Sequence, residues 1–182
     1  ESVLLPRDGL CISSQVGCAV ACVFCMTGKS GLLRQLSSAE MVAQVALGRR
    51  FRPVKKVVFM GMGEPAHNLD HVVEAIQMLG TVGNIAHKNL VFSTVGDPRV
   101  FERLPQERVK PALALSLHTS KADLRAELLP RAPRSTIALM SAGPSSISQA
   151  WIIRPLRQPS VVTSRLAAGI AIVEASEEKN ET

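Results

Sequence analysis

The 182-residue sequence predicts an α/β fold built on a parallel sheet, and three observations predict it. Apolar runs alternate with loops and helical patterns at least three times, which argues for βαβ units with right-handed crossovers. Hydrophobic residues make up 46% of the chain, yet aromatics are scarce, with five Phe, one Trp and no Tyr. A core of Val, Leu, Ala and Ile suits strands buried on both faces. Finally, Glu64, Ser93, Ser116 and His118 each fall at the end of an apolar run, and ligands of such sheets gather at the C-terminal ends of strands.

The elements follow in order. Glu1 to Pro6 reads as a short strand that stops at proline, and residues 9–16 read as a second apolar strand. A cysteine-containing loop then runs to about Leu36. Ser37 and Glu40 have the spacing of a capping box, in which each side chain satisfies a free helix N–H. Met41, Val42, Val45 and Ala46 share one face of the helix that follows, which should end near Arg50, before Pro53. Val54 to Met60 is a strand, and Gly61 to Pro65 is the loop at its C-terminal end. Asn68 or Asp70 caps a helix containing Val72, Val73, Ile76 and Leu79. Asn89 to Thr94 is the next strand, with a short helix near Arg99 to Leu104. Ala112 to His118 is a further strand, and Lys121 to Leu129 reads as a helix stopped by Pro130.

After about Pro133 the character changes. Residues 134–182 are rich in Ser, Pro and Ala, end in a polar acidic tail, and show no further clear strand–loop–helix unit. They read as a non-family or disordered tail distinct from residues 1–133, with Arg165 to Ala175 as its one helical stretch. The length suits one ordinary domain.

Net charge is +6, and residues 1–133 hold 16 Lys and Arg against 11 Asp and Glu. A basic domain suits a polyanionic partner such as RNA, although many mildly basic proteins bind none. Arg49, Arg50, Arg52, Lys55 and Lys56 form a basic cluster, read either as phosphate contacts or as a solvated helix end. No run of 18 apolar residues indicates a membrane span. Residue 1 is Glu and no signal peptide is visible, so the sequence reads as an internal piece of a cytoplasmic protein.

All four cysteines lie between Cys11 and Cys25. A secreted scaffold would spread them to staple distant segments, whereas a tight cluster reads as a metal or redox site in a reducing compartment. Cys18, Cys22 and Cys25 have the pattern C-x3-C-x2-C. Three thiolates on one loop can hold three irons of a [4Fe–4S] cubane and leave the fourth open for a chelating substrate. S-adenosylmethionine can chelate through its amino and carboxylate groups, and one electron passed to its sulfonium breaks a C–S bond to leave a 5′-deoxyadenosyl radical. A zinc site or free thiols are the alternatives; zinc usually takes four ligands, often as separated pairs, and the one nearby fourth candidate is Cys11.

The cysteine loop has the radical S-adenosylmethionine pattern. With Leu10–Cys18, Gly61–Leu69 and Ser116-Leu117-His118, it closely resembles the RlmN/Cfr-type RNA methyltransferases over roughly residues 1–133. The resemblance implies an incomplete parallel (β/α) barrel of the radical S-adenosylmethionine type. It implies methylation of C2 or C8 of an adenosine in ribosomal RNA and, in the RlmN branch, of some transfer RNAs. It also implies an electron donor such as flavodoxin or ferredoxin. Carried over by position, Cys18, Cys22 and Cys25 are the cluster ligands, and Cys11, seven residues before Cys18, is the cysteine that resolves the protein–RNA adduct. Glu1, opening a Glu-x-Val-x-x-Pro strand, is the proton acceptor, with a linker to Cys11 shorter than the family pattern. Gly63 and Glu64 match the segment that binds the cofactor's amino group. Ser93, Ser116, Leu117 (through its backbone) and His118 match further cofactor contacts. Without the family, Gly61 to Pro65 is simply a strand-end turn.

The family also has a second, methyl-carrying Cys near its C-terminus, and here no Cys follows Cys25. Complete methyl transfer by this chain is therefore not expected, and half a barrel leaves an open sheet edge. A radical enzyme acting on another substrate, or a non-catalytic iron–sulfur or RNA-binding remnant, are the alternative functions.

Overall fold

The computed structural model describes residues 1–134 together with 151–154 and 171–173. The strands are β1 (Ser2–Leu5), β2 (Gly9–Ile12), β3 (Gln15–Gly17), β4 (Leu32–Gln35), β5 (Lys56–Phe59), β6 (Leu90–Thr94), β7 (Ala112–Ser116), β8 (Trp151–Arg154) and β9 (Ala171–Val173). The α-helices are α1 (Ser38–Arg49), α2 (Leu69–Gly80), α3 (Pro98–Arg103) and α4 (Ala122–Leu128).

One sheet of seven strands runs in the order β1-β2-β5-β6-β7-β8-β9. Neighbours from β2 to β8 are parallel, while β1 and β9 pair antiparallel at the two edges. The α/β expectation holds: an open, mostly parallel sheet with crossover helices is an incomplete barrel. β8 is an element the sequence reading missed, because its run of four residues is too short to show a period. Of the helix expected over Arg165 to Ala175, Ala171–Val173 form strand β9 instead, a correction that reflects pairing with β8 overriding local propensity. The rest of that helix lies outside the described residues.

Strand alternation divides the core in two. On one face Leu10, Ile12, Val57, Phe59, Leu90 and Phe92 pack against Met41 and Val45 of α1 and against Val72, Val73, Ile76 and Leu79 of α2. On the other face Cys11, Val58, Val91 and Ala114 form a smaller cluster with Leu5, Met60 and Ala112. The helices thus cover one face, and the short side chains of the other line what the barrel topology makes its interior.

α1 starts at the expected capping box, with the Glu40 N–H donating to Ser37 Oγ and the Ser37 N–H to Glu40 Oε2. Its buried positions are Ser38, Met41, Val45 and Gly48; Ala46, expected on that face, is exposed. The expected strand over 9–16 is two strands. After Ile12 the chain leaves the sheet, because the Gln44 amide clamps the N–H and C=O of Ser13, each at 2.9 Å. Ser14 and Gln15 then both donate to the Met62 carbonyl, and β3 pairs with β4 in a separate two-stranded sheet.

The basic cluster sits at the end of α1 and the start of β5, opposite the loops that follow the parallel strands. Three of its members are engaged within the chain. Arg52 donates to the carbonyls of Leu5 and Gly9, Arg49 donates to Gly83 O at 2.6 Å, and Lys55 pairs with Asp8 at 3.2 Å. The structure therefore favours the local reading of this cluster over phosphate contact.

Candidate functional site

The β3–β4 hairpin frames the cysteine loop. Gly17 has φ +80°, and a Cβ there would lie 2.0 Å from Gly31 O, so the hairpin closes only with glycine at this position. Cys18 N–H donates to Gly31 O at 3.0 Å, which ties the first cysteine to the end of the loop. At its other side the loop rests on α4: Val23 N–H donates to Leu128 O at 3.1 Å, and Cys18 packs with Val20, Val95 and Leu129. Cys25 N–H donates to Cys22 O at 3.0 Å, folding the last two cysteines into one turn.

Cys18, Cys22 and Cys25 are free thiols. Burial, and secondarily the charges of Glu64 and Cys25, push the Cys18 thiol up. Burial followed by Cys18 and Cys25 pushes Cys22 to about 12. The three thiols and Glu64 thus form one mutually interacting group.

Glu64 is buried in the loop after β5. Its Oε2 accepts from Val95 N at 3.0 Å and its Oε1 from Ala66 N at 3.2 Å. Burial nevertheless dominates and raises the carboxyl to about 7. The backbone that presents it is set by two glutamines. Gln15 Oε1 accepts the Glu64 N–H, Gln15 Nε2 donates to Gln35 Oε1, and Gln35 Nε2 donates to His67 O, each at 2.8 Å. Gly63 has φ +104°, and a Cβ there would fall 2.6 Å from Gln15 Cβ. Sequence reasoning missed both glutamines. Gln15 lies inside the quoted Ser-Ser-Gln-Val-Gly segment, but nothing there signals that its amide spans to Glu64.

Register places the remaining candidates on the face without helices. Cys11, Val58, Val91 and Ala112 stand at one level across the sheet. Ser93 lies two residues further along β6, and Ser116 four residues further along β7. The two hydroxyls are 3.4 Å apart. Leu117 is buried, its N–H donating to Leu115 O and its C=O accepting from Thr119 N. His118 adopts a left-handed φ of +63°. Its ring lies 4.7 Å from that of Phe24 in the cysteine loop. Its buried Nδ1 has no hydrogen-bond partner in the described residues, and burial, then Arg125, push its pKa down. An orphaned buried acceptor or donor beside the loop is a place for a ligand group.

Glu1 and Cys11 stand apart from this group. Glu1 is exposed at the head of β1, and its carbonyl accepts from Ser13 Oγ. The register Val3 opposite Cys11 puts Glu1 on the same face as Cys11, one step along the diagonal. Burial pushes the Cys11 thiol to about 11, and the Glu1 charge adds to that rise.

The donor set fits an iron–sulfur cluster better than a single ion. Among the described residues no three His, Cys, Asp or Glu side chains converge as ligands of one metal ion. Cluster cysteines bind different irons and need no such point of convergence. The chain matches the Radical SAM superfamily over residues 12–138, more than half its length. It belongs to the radical SAM superfamily. Among similar proteins, a "Probable RNA methyltransferase" of Ectopseudomonas mendocina (strain ymp) is 88% identical over 134 residues, covering 74% of this chain and 39% of that protein. Another, of Chromobacterium violaceum, is 84% identical over 134 residues, covering 74% of this chain and 38% of that protein. The crystal structure of a radical SAM methyltransferase from Sphaerobacter thermophilus matches with TM-score 0.71 at 36% identity, covering 81% of this chain and 46% of that one. The radical SAM chain described here spans about two fifths of the length of the curated relatives it matches. No helix among its described residues is long and apolar enough to cross a membrane.

Proposed function

We propose that this radical SAM chain carries the cluster- and cofactor-binding part of an RNA methyltransferase acting on an adenosine of ribosomal RNA, and by family extension of some transfer RNAs, in the cytoplasm. The observation that carries the reading is the grouping of three free thiols on the β3–β4 loop with a buried carboxyl in the loop after β5: Cys18 packs on Val95, whose N–H donates to Glu64. Cys18, Cys22 and Cys25 would hold a [4Fe–4S] cluster. Gly63, Glu64, Ser93, Ser116, Leu117 and His118 would hold S-adenosylmethionine. When bound, the cluster supplies the electron that cleaves the cofactor, and flavodoxin or ferredoxin supplies that electron to it.

The chain's own residues prepare the site. A carboxyl at about 7 beside an incoming ammonium group gives up its proton and accepts a charge-assisted hydrogen bond. The Gln15–Gln35 link holds the Glu64 backbone in register with the cysteine hairpin. Ser93 and Ser116 offer paired hydroxyls on the open face, and the His118 Nδ1 offers a further polar contact. The diagonal relation of Cys11 on β2 to Glu1, the residue before β1, supports a joint role for the two on an RNA adduct. In support, the matched relatives carry the name probable RNA methyltransferase.

The test is anaerobic reconstitution of the whole chain, followed by iron and sulfide quantitation, equilibrium dialysis with S-adenosylmethionine, and analysis for 5′-deoxyadenosine after dithionite. About four irons per chain are expected, falling sharply in C18S, C22S and C25S. A parent chain that takes up no iron with its thiols reduced would sink the reading.

A further inference from the structure

Glu64 and Arg125 are the two buried charged residues among those described. Glu64 has a defined place beside the cysteines, but Arg125 is left without a role by the reading above. The residue is 4% exposed, and its guanidinium meets no carboxylate among the described residues. Nη2 donates to Val95 O at 2.5 Å and Nη1 to Pro133 O at 3.1 Å, while the buried Nε has no hydrogen-bond partner in the described residues. A buried cation held only by carbonyl dipoles is expensive, and folds keep one when an anion faces it.

The packing shows where that anion belongs. Arg125 lies one turn before Leu128, the last residue of α4, and Leu129, which caps it. Leu128 O takes the N–H of Val23, the residue after Cys22, and Leu129 packs on Cys18, Val20 and Val95. Val95, whose carbonyl holds the guanidinium, also donates its N–H to Glu64. Arg125 is thus anchored to the same strand end as Glu64, on the Cys22 side of the loop.

We propose that Arg125 is a positioning residue that supplies fixed positive charge to the cysteine loop and favours the reduced state of the [4Fe–4S] cluster that Cys18, Cys22 and Cys25 hold. The inference rests on the cluster reading above. One-electron reduction adds a negative charge to the cluster, and a desolvated cation beside it stabilises that charge more than the oxidised form. The carbonyls of Val95 and Pro133 hold the guanidinium in place.

The test compares the reconstituted parent chain with R125Q, R125K and K88Q, an exposed control on another surface. The readouts are iron content, circular dichroism and the cluster midpoint potential from electron paramagnetic resonance during dithionite titration. Iron-free parent protein would defeat the cluster reading, and the proposal with it, before any variant is compared. With iron present, R125Q is expected to lower the reduced-to-oxidised ratio about tenfold at the parent's midpoint, which is 59 mV for one electron. R125K and K88Q are expected to stay close to the parent. An R125Q midpoint equal to the parent's overturns the proposal. So does an R125K midpoint displaced as far as that of R125Q, since charge would then not be the determinant. An R125Q chain that fails to fold without iron while R125K folds with a displaced midpoint assigns Arg125 to the scaffold and also overturns it.

Discussion

Replacing Glu64 by glutamine should change how the stability of the metal-free fold depends on pH. The carboxyl is raised from 4.5 to about 7 by burial. Between those values the native state holds a proton that the unfolded chain has released, so stability is fully present below pH 4.5 and lost as pH rises through 7. Moving the carboxyl from 4.5 to about 7 amounts to about 3 kcal/mol, most of it between pH 5 and 8. His67 and His118 act in the opposite direction. Burial pushes both down, so the fold holds them neutral and gains stability as pH rises through their unfolded value. The parent profile therefore combines all three groups, and the difference between parent and E64Q isolates the carboxyl. Glutamine has one acceptor where the carboxylate has two, so either Ala66 N or Val95 N loses its partner, costing about 1–3 kcal/mol at every pH. The assay is urea unfolding of the reduced, metal-free chain at intervals from pH 5 to 8. The expected result is a parent that loses roughly 2–3 kcal/mol relative to E64Q over that range. Parallel profiles would refute the argument that Glu64 is held protonated by burial.

Three further outcomes are expected. G63A should destabilise the fold by about 1–3 kcal/mol, because φ is +104° and the new Cβ meets a Gln15 side chain held on both ends; urea unfolding measures it. Q35L strips the partners from Gln15 Nε2 and His67 O, and should cost about 1–3 kcal/mol in the same assay, with weaker S-adenosylmethionine retention in dialysis of the iron-loaded chain. S37A removes the acceptor of the Glu40 N–H at the start of α1 and should lower stability by about 1 kcal/mol, with the denaturant slope unchanged.

Much of the framework was legible in the sequence because it is local. The capping box at Ser37 and Glu40, the Pro130 stop after α4 and the runs that became β5, β6 and β7 depend on neighbours within a few residues. The spacing of Cys18, Cys22 and Cys25 is likewise a local fact, and the spacing alone points to a cluster. β4 was hidden inside the loop because Leu32–Gln35 makes a strand only by pairing with β3. Periodicity puts Ala46 on the buried face, but the face that packs is Ser38, Met41, Val45 and Gly48, and the missing side chain of Gly48 lets α1 approach Leu10.

The sequence by itself determined the parallel βα order, the cysteine pattern and which residues stand at strand ends. The tertiary structure decided what those residues face. It brought Glu64 beside the cysteines through a glutamine link whose amides are 20 positions apart in the chain. It spent much of the basic cluster on the chain's own carbonyls and Asp8. It also buried Arg125 on the helix whose end carries the cysteine loop. The physical reason is the same in each case: a side chain's charge state and partner are set by desolvation and by groups remote in sequence, and neither is encoded in spacing.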